Sequence, residues 1–189
     1  MRALPIRLPC CGAVLVSALL AACDDPFALP PAGIENVVDT VSLWAASGTP
    51  LHLPSAYLIE FRQTIRTDQS ANFDFAFDLD PAGRAVLSPT GALRLGRGSG
   101  IRVSEEPFDS ITVAPGSGYQ DTLAVVVDTG TVAVVRSRPV TCTFAGLAVF
   151  YYAKLRVLAV DSAARRLDFE ILANANCGYR SLEPGFPRQ

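Results

Sequence analysis

The clearest pattern along the chain is Phe73-Asp74-Phe75-Ala76-Phe77-Asp78-Leu79. Period two sends alternate side chains to opposite faces of a strand. Phe73, Phe75, Phe77 and Leu79 are therefore expected on one face, with Asp74 and Asp78 on the other, in solvent. Pro81-Ala82-Gly83 is turn chemistry, and Arg84 to Ser88 returns as a second strand. Two further hairpins are expected. One joins Thr122–Val127 to Thr131–Arg136 through Asp128-Thr129-Gly130, a short loop containing Gly. The other joins the apolar stretch Ala148–Val160 to Leu167–Ile171 through Asp161-Ser-Ala-Ala-Arg165.

Shorter β-rich runs lie before and between these: Val37–Trp44, Ala56–Ile65, Gly100–Val103 and Ser110–Val113. Gly91 to Gly100 reads as a loop. It lacks the strand-to-helix setting and the Lys-Ser/Thr ending of a phosphate-binding loop. Helical periodicity is weak, with Phe144–Ala153 the one ambiguous stretch. Many short strands with Gly/Pro turns predict an all-β fold, an antiparallel β-sandwich or barrel-like domain built from successive hairpins.

The first 22 residues follow a different logic. Arg2 and Arg7 are their only charges, and Gly12–Leu20 is apolar. That run is too short for a span of about 20 residues, and Asp24-Asp25-Pro26 ends it. Leu20-Ala21-Ala22-Cys23 closes the segment. This segment resembles the signal peptide and lipobox of bacterial lipoproteins. The resemblance covers about 23 residues and implies cleavage before Cys23, lipidation of its thiol and a place in the cell envelope. The domain would then lie outside the cytoplasm, anchored to the inner or the outer membrane. Two or more acyl chains hold a protein stably at a bilayer, where one is marginal. The expected organisation is a signal peptide at 1–22, a lipidated Cys and Pro-rich tether at 23–35, one β-domain at 36–181 and a loose tail at 182–189. Asp24–Ile34, with Pro26, Pro30 and Pro31, would reach roughly 30 Å if extended.

Processing changes the inventory. Cys10 and Cys11 leave with the signal peptide and Cys23 carries lipid, so Cys142 and Cys177 remain. Two leftover thiols in an exported chain are expected to pair. The bridge would contribute about 3–4 kcal/mol in the chain-entropy view. Losing Arg2 and Arg7 from 16 basic residues leaves 14 against 18 acidic ones, a formal charge of −4. The basic residues are scattered and all but Lys154 are Arg, so no nucleic-acid partner is expected.

The candidate chemistry is sparse. Asp74, Asp78 and Asp80, followed by Gly83, faintly resemble a calcium loop but lack its distal Glu. Glu60, Asp74, Asp78, Asp168 and Glu170 are carboxylates of the type used in glycoside hydrolysis. His52, the only His, lies in a loop expected to be exposed. Trp44, Tyr57, Tyr119, Tyr151, Tyr152 and Tyr179 could form a stacking platform if one surface gathered them. Asn174–Ser181 is polar and would be fixed by Cys177, either as a recognition loop or as a constrained connection. No catalytic, cofactor or metal residue is assigned. The expected partners are the membrane, through the anchor, and an envelope protein or glycan. The expected function is non-catalytic binding or scaffolding. The alternatives are a carbohydrate- or calcium-binding module and a carboxylate-dependent hydrolase.

Overall fold

A computed structural model describes residues 28–96, 98–142 and 146–188. Twelve strands run in chain order: β1 Val38–Trp44, β2 Ala56–Leu58, β3 Gln63–Ile65, β4 Phe75–Leu79, β5 Ala85–Pro89, β6 Gly100–Ser104, β7 Val125–Val126, β8 Val132–Arg136, β9 Val140–Thr141, β10 Ala148–Val149, β11 Tyr152–Asp161 and β12 Arg166–Asn174. They form two five-stranded sheets, β1-β12-β11-β8-β6 and β3-β2-β4-β5-β7, and the small pair β10-β9. Every pairing is antiparallel. The protein is an all-β sandwich; among the described residues the only helical element is a 3₁₀ turn, Phe108–Ser110.

The core between the sheets is built from the period-two faces. Phe75 and Phe77 on β4 and Leu87 on β5 meet Leu43 on β1, Leu155 on β11, and Leu167, Phe169 and Ile171 on β12. Tyr57, Phe75 and Phe169 form its aromatic centre, with ring centroids 5.7–6.2 Å apart. Their apolar area leaves water on folding, at about 25 cal/mol per Å².

The β4–β5 hairpin forms as its pattern predicts. One Asp80 carboxylate oxygen accepts from the N–H groups of Ala82 and Arg84, and Gly83 adopts φ +78° between them. The β11–β12 hairpin also forms, closed by Asp161 accepting from the Ala164 N–H. The β11–β12 ladder carries a bulge between Val157 and Ala159, and on the other side of β11 Val157 bonds to Gly130 and Thr131.

Other expectations are corrected. Gly130 does make a turn, at φ +88°, but its flanks do not pair. β7 joins β5 in one sheet and β8 joins β6 and β11 in the other. The segment is a crossover between layers, and an alternation pattern does not distinguish that from a hairpin. Ala56–Ile65 is not one strand: it turns at Arg62 (φ +51°) and pairs β2 with β3. Ser110–Val113 is no strand either; Ser110 ends the 3₁₀ turn, and the rest makes a single bridge, from Val113 to Ser181. Phe73 packs with Ala56 and Ala76, apart from the Phe75 face, because it precedes β4 and is outside its pleat.

The chain ends differ most. Residues 182–189 are not a loose tail as far as they are described. Leu182 is fully buried, its N–H donates to Thr112 O, and Gly185 exchanges both backbone hydrogen bonds with Asn36. The later part of the Pro-rich segment also lies on the domain, through Pro30, Gly33 and Ile34. Cys23 and the signal segment lie outside the described residues.

Candidate functional site

The polar stretch 174–182 is where the two ends of the described chain meet. β12 ends at Asn174, which is fully buried. A buried amide needs partners for its donors and its acceptor. Asn174 Nδ2 donates to Ser181 O at 2.8 Å, and its Oδ1 accepts from Asn176 N–H and Nδ2, both at 2.9 Å. Asn176 then turns to the incoming chain. Its Oδ1 accepts from Gly33 N–H at 2.9 Å and Ile34 N–H at 3.0 Å, and its Nδ2 donates to Ile34 O at 2.7 Å. Tyr179 Oη donates to Pro30 O at 2.9 Å. Asn36 Nδ2 donates to Glu183 O at 3.0 Å.

Cys142 and Cys177 sit at disulfide distance beside this network, with Cα atoms 6.3 Å apart. The link holds the turn after β12 against the segment following β9. Arg180 donates through Nε to Ala114 O at 2.9 Å, tying the same loop to the strap that follows the 3₁₀ turn. The backbone turns through Gly178 at φ +82°, where the Leu29 side chain lies so close that a Cβ would meet it at 2.5 Å. Asn174–Ser181 is therefore a constrained connection. Sequence pattern could flag its polarity, but its partners lie more than 140 residues away at Gly33 and Ile34.

A second structured site covers the outer face of the β1-β12-β11-β8-β6 sheet. Phe108, Ile111, Ala114 and Leu182 pack on Val132, Val134, Tyr152 and Leu172. Lys154 is buried beneath them and its Nζ donates to Phe108 O and Ile111 O, both at 2.9 Å. Burial lowers its affinity for the proton, opposed by the charges of Asp109, Glu183 and Glu170. Asp109, Thr112, Lys154, Glu183, Phe186 and Arg188 share a shallow cleft of about 370 Å³ at the rim.

The carboxylates singled out by sequence do not gather at one point, although Glu60 lies near enough to Asp74 for its charge to be felt there. Asp74 is buried, contrary to its expected solvent position; both oxygens accept backbone hydrogen bonds, from Ile59 at 2.9 Å and Arg138 at 3.1 Å. Burial, and to a smaller extent the Glu60 charge, raise its pKa, and those bonds and the Arg138 charge oppose the rise. Asp78 accepts from Ser47 Oγ at 2.8 Å and faces Arg165, while Asp80 pairs with Arg84. Asp168 accepts from Ser42 Oγ at 2.5 Å and pairs with Arg166, and Glu170 pairs with Arg156. Glu60 accepts from Tyr151 Oη at 3.4 Å. Among the described residues no three His, Cys, Asp or Glu side chains are placed to hold a metal ion. His52 is exposed in a turn.

The six aromatics do not form one surface. Trp44 is half-buried at the end of β1, Tyr57 and Tyr151 belong to the inner core, Tyr152 to the covered outer face, and Tyr179 to the polar network. Tyr119 and Tyr152 lie 6.5 Å apart, but Arg136 occupies the Tyr119 face at 4.9 Å.

No protein-family model matches the chain, and no curated protein matches it.

Proposed function

We propose that the protein is a lipid-anchored component of the bacterial cell envelope. Its disulfide-stapled β-domain binds or scaffolds at the membrane surface without catalysing a reaction. The observation that carries this reading is Leu20-Ala21-Ala22-Cys23 placed directly behind a basic and then apolar leader. The Cys142–Cys177 pair supports it, since such bridges persist in oxidising compartments. The non-catalytic part is supported by the carboxylates: each described candidate is engaged within the domain. The carbohydrate- or calcium-binding and hydrolase alternatives lack an assembled group of side chains among the described residues.

Mass spectrometry of the mature N-terminus tests the anchor. The expected species begins at Cys23 and carries diacylglycerol, and Cys23→Ser is unprocessed or released from membranes. A mature wild-type chain beginning elsewhere, or with an unmodified Cys23, overturns the proposal.

A further inference from the structure

If Cys23 is the anchor, the structure limits how far the domain can stand from the bilayer. The chain meets the domain at Leu29, against Gly178, and is bonded to it at Pro30, Gly33 and Ile34. Only six residue steps separate Cys23 from Leu29. Fully extended, they reach about 20 Å, not the roughly 30 Å of a tether running to Ile34.

Large apolar side chains stand exposed around this point of attachment. Ile34 is 45% exposed, Val37 42%, Phe61 61% and Phe186 65%. Contacts of adjacent residues bring their segments together. Asn36, between Ile34 and Val37, pairs with Gly185, next to Phe186. Arg62, next to Phe61, donates to Glu35 O at 2.6 Å. The segments that carry them meet beside the start of β1, where Phe186 also borders the cleft over Lys154, and at the β2–β3 turn of the other sheet.

We infer that this apolar patch of Ile34, Val37, Phe61 and Phe186 rests in the interface of the bilayer that holds the lipidated Cys23. The inference rests on the lipid-anchor proposal. The anchor makes docking intramolecular, so a patch too weak to bind alone is held at high effective concentration. It acts as the second signal that complements acyl chains. Phe side chains in such a patch enter the boundary between headgroups and acyl chains. Glu35, Arg62, Glu183 and Arg188 lie in the same region and are of mixed sign, so docking needs no anionic lipid. The opposite edge, β6 with β7, then faces away from the membrane. Five strands at about 4.8 Å place it roughly 19 Å across the sheet.

The test uses the full lipidated chain in vesicles of phosphatidylethanolamine and phosphatidylglycerol with or without brominated acyl chains. Phe61→Trp, Phe186→Trp and Leu123→Trp are compared with the unmodified protein, whose Trp44 supplies the baseline. Leu123 is 63% exposed and lies near the β6 edge. The expected result is a blue shift and strong bromine quenching for Phe61→Trp and Phe186→Trp, with neither for Leu123→Trp. Equal, weak quenching at all three sites, in protein that carries lipid on Cys23 and floats with vesicles, overturns the docking and leaves the anchor standing. Absence of lipid on Cys23 overturns both.

Discussion

Asp74 and Lys154 are both nearly inaccessible, at 1% and 3% exposure, yet the domain accommodates them by opposite means. Asp74 can only accept hydrogen bonds when ionised, and it collects N–H groups. Ile59 and Arg138 donate from two loops, and the Arg138 guanidinium lies 3.8 Å away. Lys154 can only donate, and it collects carbonyls from the Phe108–Ile111 segment, under the Phe108 ring at 4.6 Å. Each charge thus stitches a remote segment to a sheet, Asp74 at the β4 sheet and Lys154 at the β11 sheet. A buried charge is tolerated when its hydrogen-bonding capacity is met. The contrast lies in what is left behind when the charge is removed.

Asp74→Ala should have the largest effect. It strands the buried Ile59 N–H and the part-buried Arg138 N–H, at about 1–3 kcal/mol for a buried group left unpaired, so a loss of about 3 kcal/mol is expected in urea unfolding. Lys154→Met should cost less, about 1 kcal/mol, because the apolar stem is retained and the desolvation of the charge disappears. The Phe108 carbonyl also keeps its contact from the Ile111 N–H. A Lys154→Met protein as unstable as Asp74→Ala would break the comparison.

The smallest effect is in pH dependence, and its signs are opposite. The folded-state pKa of Asp74 is raised above its ordinary 3.8. Between the two values the folded state binds more protons, so this group's contribution to stability falls as pH rises. Lys154 is lowered from its ordinary 10.5. Between its folded value and 10.5 the unfolded state binds more protons, so stability rises with pH. The groups facing Lys154 are Asp109, Glu183 and Glu170, with Arg156 on the same Phe108 ring at 5.6 Å. Stability profiles of the wild type minus each variant should slope in opposite directions, one in acid and one in alkali. The same sign for both would refute the account.

The legibility of the chain followed the range of the interactions. The β4–β5 and β11–β12 hairpins were readable because their alternation and their turn residues lie within about 25 residues of one another. The turn at Gly130 was readable, but not its role as a crossover, since Val125–Val126 and Val132–Arg136 are equally apolar in either arrangement. The three Asp side chains of the candidate calcium loop take separate partners for a related reason. Asp74 precedes the first strand residue, and its partners at Ile59 and Arg138 are invisible in the local pattern. That Lys154 is the only lysine in the chain was visible, but not that it is buried.

By itself the sequence determined an all-β fold and its two local hairpins. Period and turn chemistry are properties of neighbouring residues. Only the tertiary structure decided which sheet each strand joins, that the C-terminal segment closes on Asn36, and that the Pro-rich segment is pinned by Asn176. Those contacts satisfy buried amides and carbonyls across more than 140 residues. A buried polar group requires a partner, but its own sequence neighbourhood does not say where that partner is.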